Sequence, residues 1–428
     1  MNHTFRIILF FCIMIGPFCK ANELFFSFSQ ELQSFYLTPQ NSSSYFARTE
    51  LMTKGDWDLF DKVKFKLDAA ANVTFMKSQD QKSFLFNPTR LGALVAQKYF
   101  ELFFGGFLIA GDGADLNNIF DVVNAQDYRQ PFNTKSIAAP GLLLTLPFNS
   151  FTFKTFFIPK NQKSLLPDTQ SAWWPRTEAL PIRDSSGTFL APDNMSYKLT
   201  SESEEKNPFE NNYGFTSKYS FSNVDLSLFY FSGSNQTPKI SPNFNINVIS
   251  LDPLVGTIQP PVELNLTWFR SEQIGGGTTL VLGDWIFKTF YKEQKDLLPQ
   301  IEKSSAATFS IENSLAISNF SLRYFLQANR IWRQSSSAQE LETLIGFFEK
   351  STALGLYIDM NTKGLLSGAF IYNEKDPSVL TSLGYEYRWT DNFKTKITAN
   401  VLTASGSNAL SAAYDKTDNL SLILNYDF

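Results

Sequence analysis

Side chains of alternating polarity run through this chain from end to end, and this pattern constrains the fold more than any other feature. The last ten residues are the clearest case. Their apolar face consists of Leu420, Leu422, Leu424, Tyr426 and Phe428, and their other face of Asn419, Ser421, Ile423, Asn425 and Asp427. Successive side chains of a strand point to opposite faces, so the segment predicts a strand with one apolar and one largely polar side.

The same period of two recurs along the chain. Alternating segments begin near Val63, Phe151, Tyr213, Val224, Phe320, Leu383 and Phe393. They are about 8–12 residues long, which suits tilted strands that cross a lipid layer. Short polar pairs such as Ser222-Asn223, Ser318-Asn319 and Asp391-Asn392 separate neighbouring segments and predict antiparallel hairpins. The glycine run from Gly275 to Gly277 predicts another turn.

One apolar window, Leu91 to Gly111, is long enough to raise the question of a membrane helix, which needs about 20 apolar residues. Lys98 and Glu101 lie within it, and charged side chains are costly in the centre of a bilayer. Gly105 and Gly106 also interrupt the window. We therefore expect two strands that turn at Gly105-Gly106 rather than a helix.

The first residues have the pattern of an export signal. Arg6 precedes an apolar run from Ile7 to Ile15, and Gly16-Pro17 ends that run. Cleavage after Ala21 gives a signal peptide of residues 1–21 and a single domain of residues 22–428. A lipoprotein signal ending at Cys19 is the alternative, although Phe18 is bulky for the position before a lipidated cysteine.

Cleavage after Ala21 removes every cysteine and histidine from the exported chain. Both cysteines, Cys12 and Cys19, and the only histidine, His3, lie within the signal. Residues 22–428 therefore offer no ligands for a structural zinc site of Cys and His, no disulfide, no catalytic thiol and no histidine-dependent triad. The net charge of −4 argues against nucleic acid as a partner. We expect no enzyme activity, no cofactor and no bound metal.

Two all-β folds are compatible with this pattern, and they differ in whether the apolar strand faces contact a protein core or lipid. A soluble sandwich buries its apolar faces in a core, and the alternation alone is compatible with that. Aromatic residues form 15% of the chain, with 43 Phe, while the mean hydropathy is only −0.15. Aromatic strand ends with few charges are typical of strands in lipid. Sheets in lipid must close so that every backbone group is paired, and this predicts a transmembrane barrel.

Two segments break the alternation. Residues 160–212 are rich in proline and charge and contain Trp173, Trp174 and Arg176, and loops of this length are usually functional or disordered. We expect this long loop either to constrict the barrel lumen or to pack on the rim. The second segment, residues 111–132, gathers Asp and Asn side chains. Calcium prefers such oxygen ligands, but the closing Glu of an EF-hand loop is missing, and Asx-rich turns are common without metal.

Certain motifs resemble those of known proteins. A chain that ends on Phe428 at the apolar face of its last strand resembles bacterial outer-membrane β-barrels. Asp121-Val122-Val123-Asn124, Asp127-Tyr128 and Trp173-Trp174-Pro175-Arg176 resemble motifs of porin-like families of unassigned substrate, over about 70 residues. A tryptophan of that pattern is absent here, because Ile109-Ala110 stands in its place. The residues Leu424, Tyr426 and Phe428 match the terminal signal for barrel closure.

This resemblance implies an antiparallel up-and-down barrel in the outer membrane of a Gram-negative bacterium. We expect about 18 strands, within a range of 14 to 20, because closure favours an even number. Barrels of 16–18 strands enclose an aqueous channel, so we expect a porin for passive diffusion of small solutes. A non-conducting adhesin or scaffold is the alternative. Expected partners are outer-membrane lipid, the barrel assembly machinery and small solutes, with a homo-oligomer left open.

Strand parity identifies candidate residues that face the pore. The pore-lining set by parity is Arg48, Lys62, Lys64, Lys66, Asp68, Lys154, Lys218, Arg323, Glu386, Arg388, Lys394 and Lys396, with Glu50 and Asp225 as further acids. Cations outnumber acids in this set. We therefore expect a mild preference for anions, which an acidic loop in the lumen would reverse locally.

Overall fold

The structure is a computed structural model, and it describes most of the chain. The described residues are 20–35, 45–60, 63–76, 82–109, 118–167, 171–173, 183–184, 187–190, 197–299, 302–317, 320–333, 348–360, 363–375, 377–404, 414 and 417–428. The signal-peptide prediction for residues 1–21 lies almost entirely outside them. Within the described part, no helix is long and apolar enough to cross a membrane.

Most of the strands belong to one antiparallel wall. The wall strands are β1 (Lys20–Phe35), β2 (Tyr45–Phe60), β3 (Val63–Met76), β4 (Lys82–Ala96), β5 (Glu101–Phe107), β8 (Ala139–Phe148), β9 (Phe151–Lys160), β13 (Glu210–Phe221), β14 (Val224–Ser234), β16 (Leu254–Leu282), β17 (Trp285–Asp296), β18 (Glu302–Ile317), β19 (Phe320–Arg333), β20 (Lys350–Met360), β21 (Gly364–Asn373), β22 (Ser378–Arg388), β23 (Phe393–Ala404) and β24 (Asn419–Asp427).

Six further strands lie in the connections between wall strands. These are β6 (Ala125–Asp127), β7 (Lys135–Ile137), β10 (Arg183–Asp184), β11 (Gly187–Leu190), β12 (Tyr197–Glu205) and β15 (Lys239–Leu251). β6 pairs with β7, whereas β11, β12 and β15 all pair with the first part of β16.

The wall closes on itself. Each wall strand pairs antiparallel with the next one along the chain. The last strand, β24, then pairs with β1 from Ser27 opposite Asp427 to Phe35 opposite Asn419. The prediction of an antiparallel up-and-down barrel is confirmed, and the described residues give it eighteen wall strands.

The connections differ in length between the two ends of the barrel. At one end, turns such as residues 149–150, 222–223 and 283–284 join strands directly. The predicted turns at Ser222-Asn223 and Asp391-Asn392 lie at this end, while Ser318-Asn319 falls between β18 and β19, outside the described residues. The opposite end carries the long connections. Short turns at one end and long loops at the other are typical of outer-membrane barrels.

The polarity of the inner and outer faces of the wall is the reverse of that in a soluble protein. On β19, Gln327 is 0% exposed, whereas its neighbour Leu326 is 49% exposed. On β20, Ser351 is 0% exposed and Leu354 is 52% exposed. Large apolar side chains therefore cover the outside of the ring, and polar side chains fill the inside. This is the arrangement expected for a barrel with lipid outside.

Aromatic side chains cluster on the outer face next to the short turns. Tyr387 and Trp389 have ring centroids 4.8 Å apart, and so do Tyr426 and Phe428. Trp285 stacks on Phe287 beside the turn at residues 283–284. Tyr and Trp side chains prefer the interface between lipid and water, so these positions form the girdle that the sequence predicted.

The predicted turn from Gly275 to Gly277 is wrong, because all three glycines lie within β16. The reason is packing inside the barrel. A Cβ on Gly275 would come within 2.7 Å of Phe120 Cε1, and one on Gly277 within 2.0 Å of Phe290 Cδ1. The missing side chains leave room for two aromatic rings in the lumen.

The predicted turn at Gly105-Gly106 is also wrong. The chain turns at residues 97–100, where the Gln97 backbone nitrogen donates to the Phe100 carbonyl at 2.8 Å. Gly105 lies inside β5, directly opposite Gly92 on β4 and Gly141 on β8. A Cβ on Gly105 would come within 2.2 Å of the Leu91 carbonyl oxygen. These glycines permit close backbone approach in the wall rather than a turn.

A second sheet stands on the loop side of the barrel. We call it the rim sheet, and it comprises β11, β12, β15 and residues 254–269 of β16. Val262 and Leu264 on its buried face are fully buried. They belong to one apolar cluster with Phe35 and Phe46 at the ends of β1 and β2 and with Ile371 on β21. The rim sheet and the wall therefore share a single core at this mouth.

Candidate functional site: the lumen and its loop

The connection between β5 and β8 folds into the barrel. We call residues 118–138 the lumen loop. Nearly all of residues 119–130 are buried. Phe120 lies 5.5 Å from Phe229 on β14 and 5.4 Å from Phe290 on β17, measured between ring centroids. Because both rings belong to the inner face of the wall, the loop occupies the lumen itself.

One side of the lumen loop is apolar and docks on one half of the wall. Ile119, Phe120, Val122 and Val123 share a buried cluster with side chains of β4, β5, β8, β9, β14, β17 and β18. Burial of a large apolar side chain contributes about 1.5–3 kcal/mol, so four such residues hold the loop firmly. The open part of the lumen is consequently displaced toward the opposite half of the wall.

The other side of the loop is bound to β2 by ionic contacts. Arg48 donates to Asp127 Oδ2 and to Gln130 Oε1, both at 3.1 Å. Arg129 donates through Nε and Nη2 to the same Asp127 carboxylate at 2.7 Å. Further along, Lys135 of the loop pairs with Glu50 of β2. Charged groups buried in this way must be paired, so these contacts fix the loop in position.

Neighbouring elements complete the attachment. Asn87 of β4 donates to the Ser136 carbonyl and accepts from the Ala138 backbone nitrogen, both at 2.8 Å. From the adjoining long connection, Gln236 donates to the Asp121 carbonyl at 2.6 Å and to the Asn124 carbonyl at 2.9 Å. The loop is therefore held by hydrogen bonds between its backbone and the side chains of Asn87 and Gln236, as well as by its own side chains.

Two carboxylates of the loop have shifted pKa values in opposite directions. Burial raises the pKa of Asp121 above its ordinary value, although Asn124, Ser136 and Gln126 donate hydrogen bonds to it. Burial also acts to raise the pKa of Asp127, but hydrogen bonds and charge from Arg129, with the charge of Arg48, hold it below its ordinary value. Asp127 is therefore the carboxylate whose charge anchors the lumen loop.

Two adjoining cavities lie between the loop and the remaining wall. The main cavity, of about 610 Å³, extends from the loop to β17–β23, and the side cavity, of about 440 Å³, lies against β1, β2 and β21–β24. Residues that line both cavities are Phe132, Asn133, Ser367, Ser382, Lys396 and Asn400. Because they share these lining residues, the two cavities adjoin each other, and we call them together the off-centre passage.

The charges around this passage are nearly balanced. The charged residues that line the two cavities are Glu31, Arg48, Glu50, Asp121, Lys135, Lys292, Glu386 and Lys396. Arg48 is already bound to Asp127, and Lys135 to Glu50. Glu386 and Lys396 face each other across β22 and β23. Lys292 interacts electrostatically with Asp296, four residues further along β17.

A second charged group lies nearer the short turns. Glu312 on β18 pairs with Lys288 on β17 and, at 3.1 Å, with Arg323 on β19. The Arg323 guanidinium also lies 5.7 Å from the centroid of the Tyr357 ring. Two cations therefore contact one carboxylate in this group.

The structure brings some predicted pore residues to the passage and leaves others aside. Arg48, Glu386 and Lys396 line the side cavity. Predicted residues that share a strand face with inward side chains, without lining the two cavities, are Lys154, Lys218, Arg323, Arg388 and Lys394. Lys218 pairs with Asp225 at 3.0 Å. Lys62, and the side chains of Lys64, Lys66 and Asp68, lie outside the described part of the chain.

The long loop of residues 160–212 contributes one described residue to the passage. Trp173 lines the side cavity, and its ring lies 5.1 Å from that of Phe132 and 5.4 Å from that of Phe35. Trp174 and Arg176 lie outside the described residues. β12, which also belongs to this segment, pairs in the rim sheet. Among the described residues, segment 118–138 fills more of the lumen, and the sequence analysis connected part of it with calcium and with a porin-like motif but not with a constriction.

Sequence reasoning also missed residues inside the lumen. Glu31, Lys288, Lys292 and Glu312 face inward but were not among the candidates. The alternation along β17 could have identified Lys292 as an inward residue, because Phe290 and Lys292 lie on one face of the strand and Tyr291 lies on the other. For calcium, no group of three or more Asp, Glu, His or Cys side chains suited to a metal occurs among the residues described. Asp112, Asp115 and Asn117 fall outside them.

The comparisons with known proteins concern the fold. No family model and no curated protein matches the sequence. The chain is similar to OccAB1 of Acinetobacter baumannii, with a TM-score of 0.52, 10% identity, and coverage of 95% of this chain and 96% of that one. It is also similar to OccK2 (OpdF) of Pseudomonas aeruginosa, with a TM-score of 0.51, 10% identity and coverage of 95% and 98%.

A third similar structure is OccK5 (OpdH) of Pseudomonas aeruginosa, with a TM-score of 0.50, 10% identity, and coverage of 95% of this chain and 97% of that one. These structures are outer-membrane porins. The likeness extends over nearly the whole of each chain, although the sequences share little. The chain therefore has the fold of a bacterial outer-membrane porin barrel.

Proposed function

We propose that the protein is an outer-membrane channel through which small solutes pass by diffusion. The observation that carries this proposal is the off-centre passage between the lumen loop and the wall. A ring of this strand number is wide enough for an aqueous channel. The inward faces are polar, and the loop that narrows the ring leaves the two cavities between itself and the rest of the wall for solutes.

The proposal includes the orientation and setting of the barrel. Residues 1–21 act as the export signal, residues 22–428 form one barrel domain, and the barrel assembly machinery inserts it into lipid. The short turns face the periplasm, and the lumen loop and rim sheet begin on the external side, as in other outer-membrane barrels. No catalytic role is assigned, because the proposed function requires only a passage.

We further expect a mild preference for anions. The charges that line the two cavities cancel, so the preference depends on basic residues that share an inward strand face outside them, among them Lys154, Arg388 and Lys394. Measurement of the reversal potential in a KCl gradient checks this expectation. A reversal potential of the sign that indicates cation preference would contradict it.

Single-channel recording tests the proposed function. Refolded protein in a planar bilayer should give discrete conductance steps. A variant in which residues 119–136 are replaced by a short Gly/Ser linker should give steps several times larger, because the loop that occupies part of the lumen is gone. A correctly folded barrel that gives no current in either form would refute the channel and favour a scaffold or an adhesin.

A further inference from the structure

The inner face of the wall carries a group of apolar side chains close to its long-loop end. We call these buried, inward-facing residues the apolar seat, and they are Phe35, Phe46, Ala353, Ile371, Leu380 and Leu402. They lie near the loop ends of β1, β2, β20, β21, β22 and β23. Apolar side chains at the mouth of an aqueous channel meet water unless something covers them, and burial from water is favourable.

The rim sheet supplies this cover. The rim residues that are buried in one apolar cluster with the seat include Tyr197, Ile240, Val262 and Leu264. The rim sheet is continuous with β16, which is the tenth of the eighteen wall strands counted from β1. Its root therefore lies across the ring from β1, and the sheet must extend over the mouth to reach the seat.

Both cavities of the off-centre passage reach this cluster. Ile371 and Leu380 of the seat line the main cavity, and Trp173 of the same cluster lines the side cavity. Along their strands, Ile371 and Leu380 lie closer to the long-loop end than Ser367 and Ser382, which line both cavities. The cluster of seat and rim residues therefore lies between the passage and the external side.

The rim sheet is held by different contacts on its two sides. Near its root, Lys239 of β15 pairs with Glu302 of β18 at 2.9 Å. On the seat side the cluster is apolar, and the buried indole nitrogen of Trp173 has no hydrogen-bond acceptor among the described residues. A buried donor without an acceptor is destabilising, and water would hydrate it if the cluster separated. The root is therefore the fixed side, and the seat is the side that can separate.

We propose that the rim sheet is a lid that closes the external entrance of the off-centre passage and lifts from the apolar seat to admit a solute. This inference rests on the proposed channel function and deepens it, because it describes how entry to the passage is regulated. In the closed arrangement, Val262 and Leu264 are buried with the seat. Opening exposes the apolar side chains of both surfaces to water, so the closed state predominates and openings are brief.

Single-channel recording of the full-length protein measures closure through the fraction of time that the channel is open. Leu264→Ser on the lid and Ile371→Ser on the seat should each increase the ratio of open to closed time about tenfold or more, because one large apolar side chain leaves a buried contact. Leu264→Met keeps the contact apolar and should behave as the wild type does. The matched control is Leu199→Ser on β12 of the same sheet, where the side chain is already 50% exposed.

Labelling of a single cysteine follows the lid without any measurement of current. Leu402→Cys places a thiol in the seat, apart from the residues that line the two cavities. Residues 22–428 contain no other cysteine. In vesicles, a water-soluble thiol reagent should label this position about tenfold faster or more when Leu264→Ser is also present, and at an unchanged rate when Leu199→Ser is present instead.

The two assays separate the lid from the channel. Faster labelling without current in any variant would refute the proposed channel and leave the movement of the rim sheet standing. Current with the same open fraction in the wild type, Leu264→Ser and Ile371→Ser would overturn the lid and leave the channel standing, whatever the labelling rate. Equal labelling of Leu402→Cys with and without Leu264→Ser would also overturn the lid, because the seat would then stay covered.

Discussion

The alternation of the sequence predicts that Arg48 lines the pore. In the structure, its guanidinium is bound by the lumen loop. Its guanidinium is held by Asp127 and Gln130, and its side chain is only 3% exposed. Alternation along β2 correctly indicates the face on which Arg48 lies. It does not indicate the partner, because Asp127 is 79 residues away along the chain. The charge therefore anchors the loop and contributes little to the field in the passage.

Substitution of Arg48 by Met should loosen the lumen loop without unfolding the barrel. Asp127 keeps Arg129 as a partner, so the loss is about 2 kcal/mol, the typical contribution of a hydrogen bond to a charged group. Single-channel recording should reveal increased open-channel noise. Lys163→Met is the control, since Lys163 pairs with Glu202 and Glu204 at the exposed rim, where ion pairs contribute little. Equal noise in both variants would contradict the anchoring role.

The pKa of Asp127 predicts how the loop responds to acid. Its pKa in the folded protein lies below the ordinary value of 3.8. A lowered pKa means that the ionised carboxylate stabilises the fold above pH 3.8, and that this contribution is lost as the pH falls through the lower folded value. Open-channel noise should therefore stay constant from about pH 7 to pH 5 and increase only below about pH 4. Noise that increases already near pH 6 would contradict this assignment.

The lumen loop is the element that determines the shape of the passage. Its inward fold depends on contacts between distant parts of the chain, such as Phe120 with Phe290 and Ser136 with Asn87. No period of two or of 3.6 residues signals such a fold. The sequence instead directed attention to the longer segment 160–212, with Trp173, and predicted that it either constricts the lumen or packs on the rim. The two segments in fact meet, because Trp173 packs on Phe132 of the lumen loop.

Neighbouring glycines on β16 offer a matched test of how the loop docks. Gly275→Ala should displace Phe120, because the new Cβ would lie 2.7 Å from Phe120 Cε1 and 2.5 Å from the Tyr291 carbonyl oxygen. Gly276→Ala points outward and meets the flexible end of Leu228 at 3.0 Å and the Ser227 carbonyl oxygen at 3.1 Å, both looser than the nearest contacts at Gly275. We expect larger and noisier current steps for the first variant and wild-type behaviour for the second. Identical currents for both would mean that Phe120 does not hold the loop.

At the scale of the whole molecule, alternation and turn residues were sufficient to predict the closed antiparallel ring. The pattern works because each wall strand meets different solvents on its two faces, and the outer solvent tolerates only apolar side chains. The positions at which the strands end were harder to predict from the sequence. The turns at Gly105-Gly106 and Gly275–Gly277 were wrong because glycine there relieves close packing, which only the paired strands reveal. The rim sheet was also beyond prediction, since it joins two separate connections.

A lysine substitution should destabilise the barrel when it lies on the outer face of the wall and much less when it lies on the inner face. Leu228, on the outside of β14, is 60% exposed to the surroundings of the barrel, and Ser227 faces inward beside it. Leu228→Lys should reduce the free energy of unfolding in lipid vesicles by about 2–4 kcal/mol, the cost of a lysine near the bilayer centre. Ser227→Lys should cost much less, because its ammonium remains in water. Urea titrations in vesicles measure both values.

Which solvent meets each face of the wall is the central claim, and cysteine labelling along β22 tests it most directly. Cysteine would replace Ser382, Leu383, Tyr385 or Glu386, one at a time, in protein reconstituted into vesicles. A water-soluble thiol reagent should label positions 382 and 386, and a lipid-soluble reagent should label positions 383 and 385. Labelling of positions 383 and 385 by the water-soluble reagent, with 382 and 386 protected, would contradict the barrel in lipid described here.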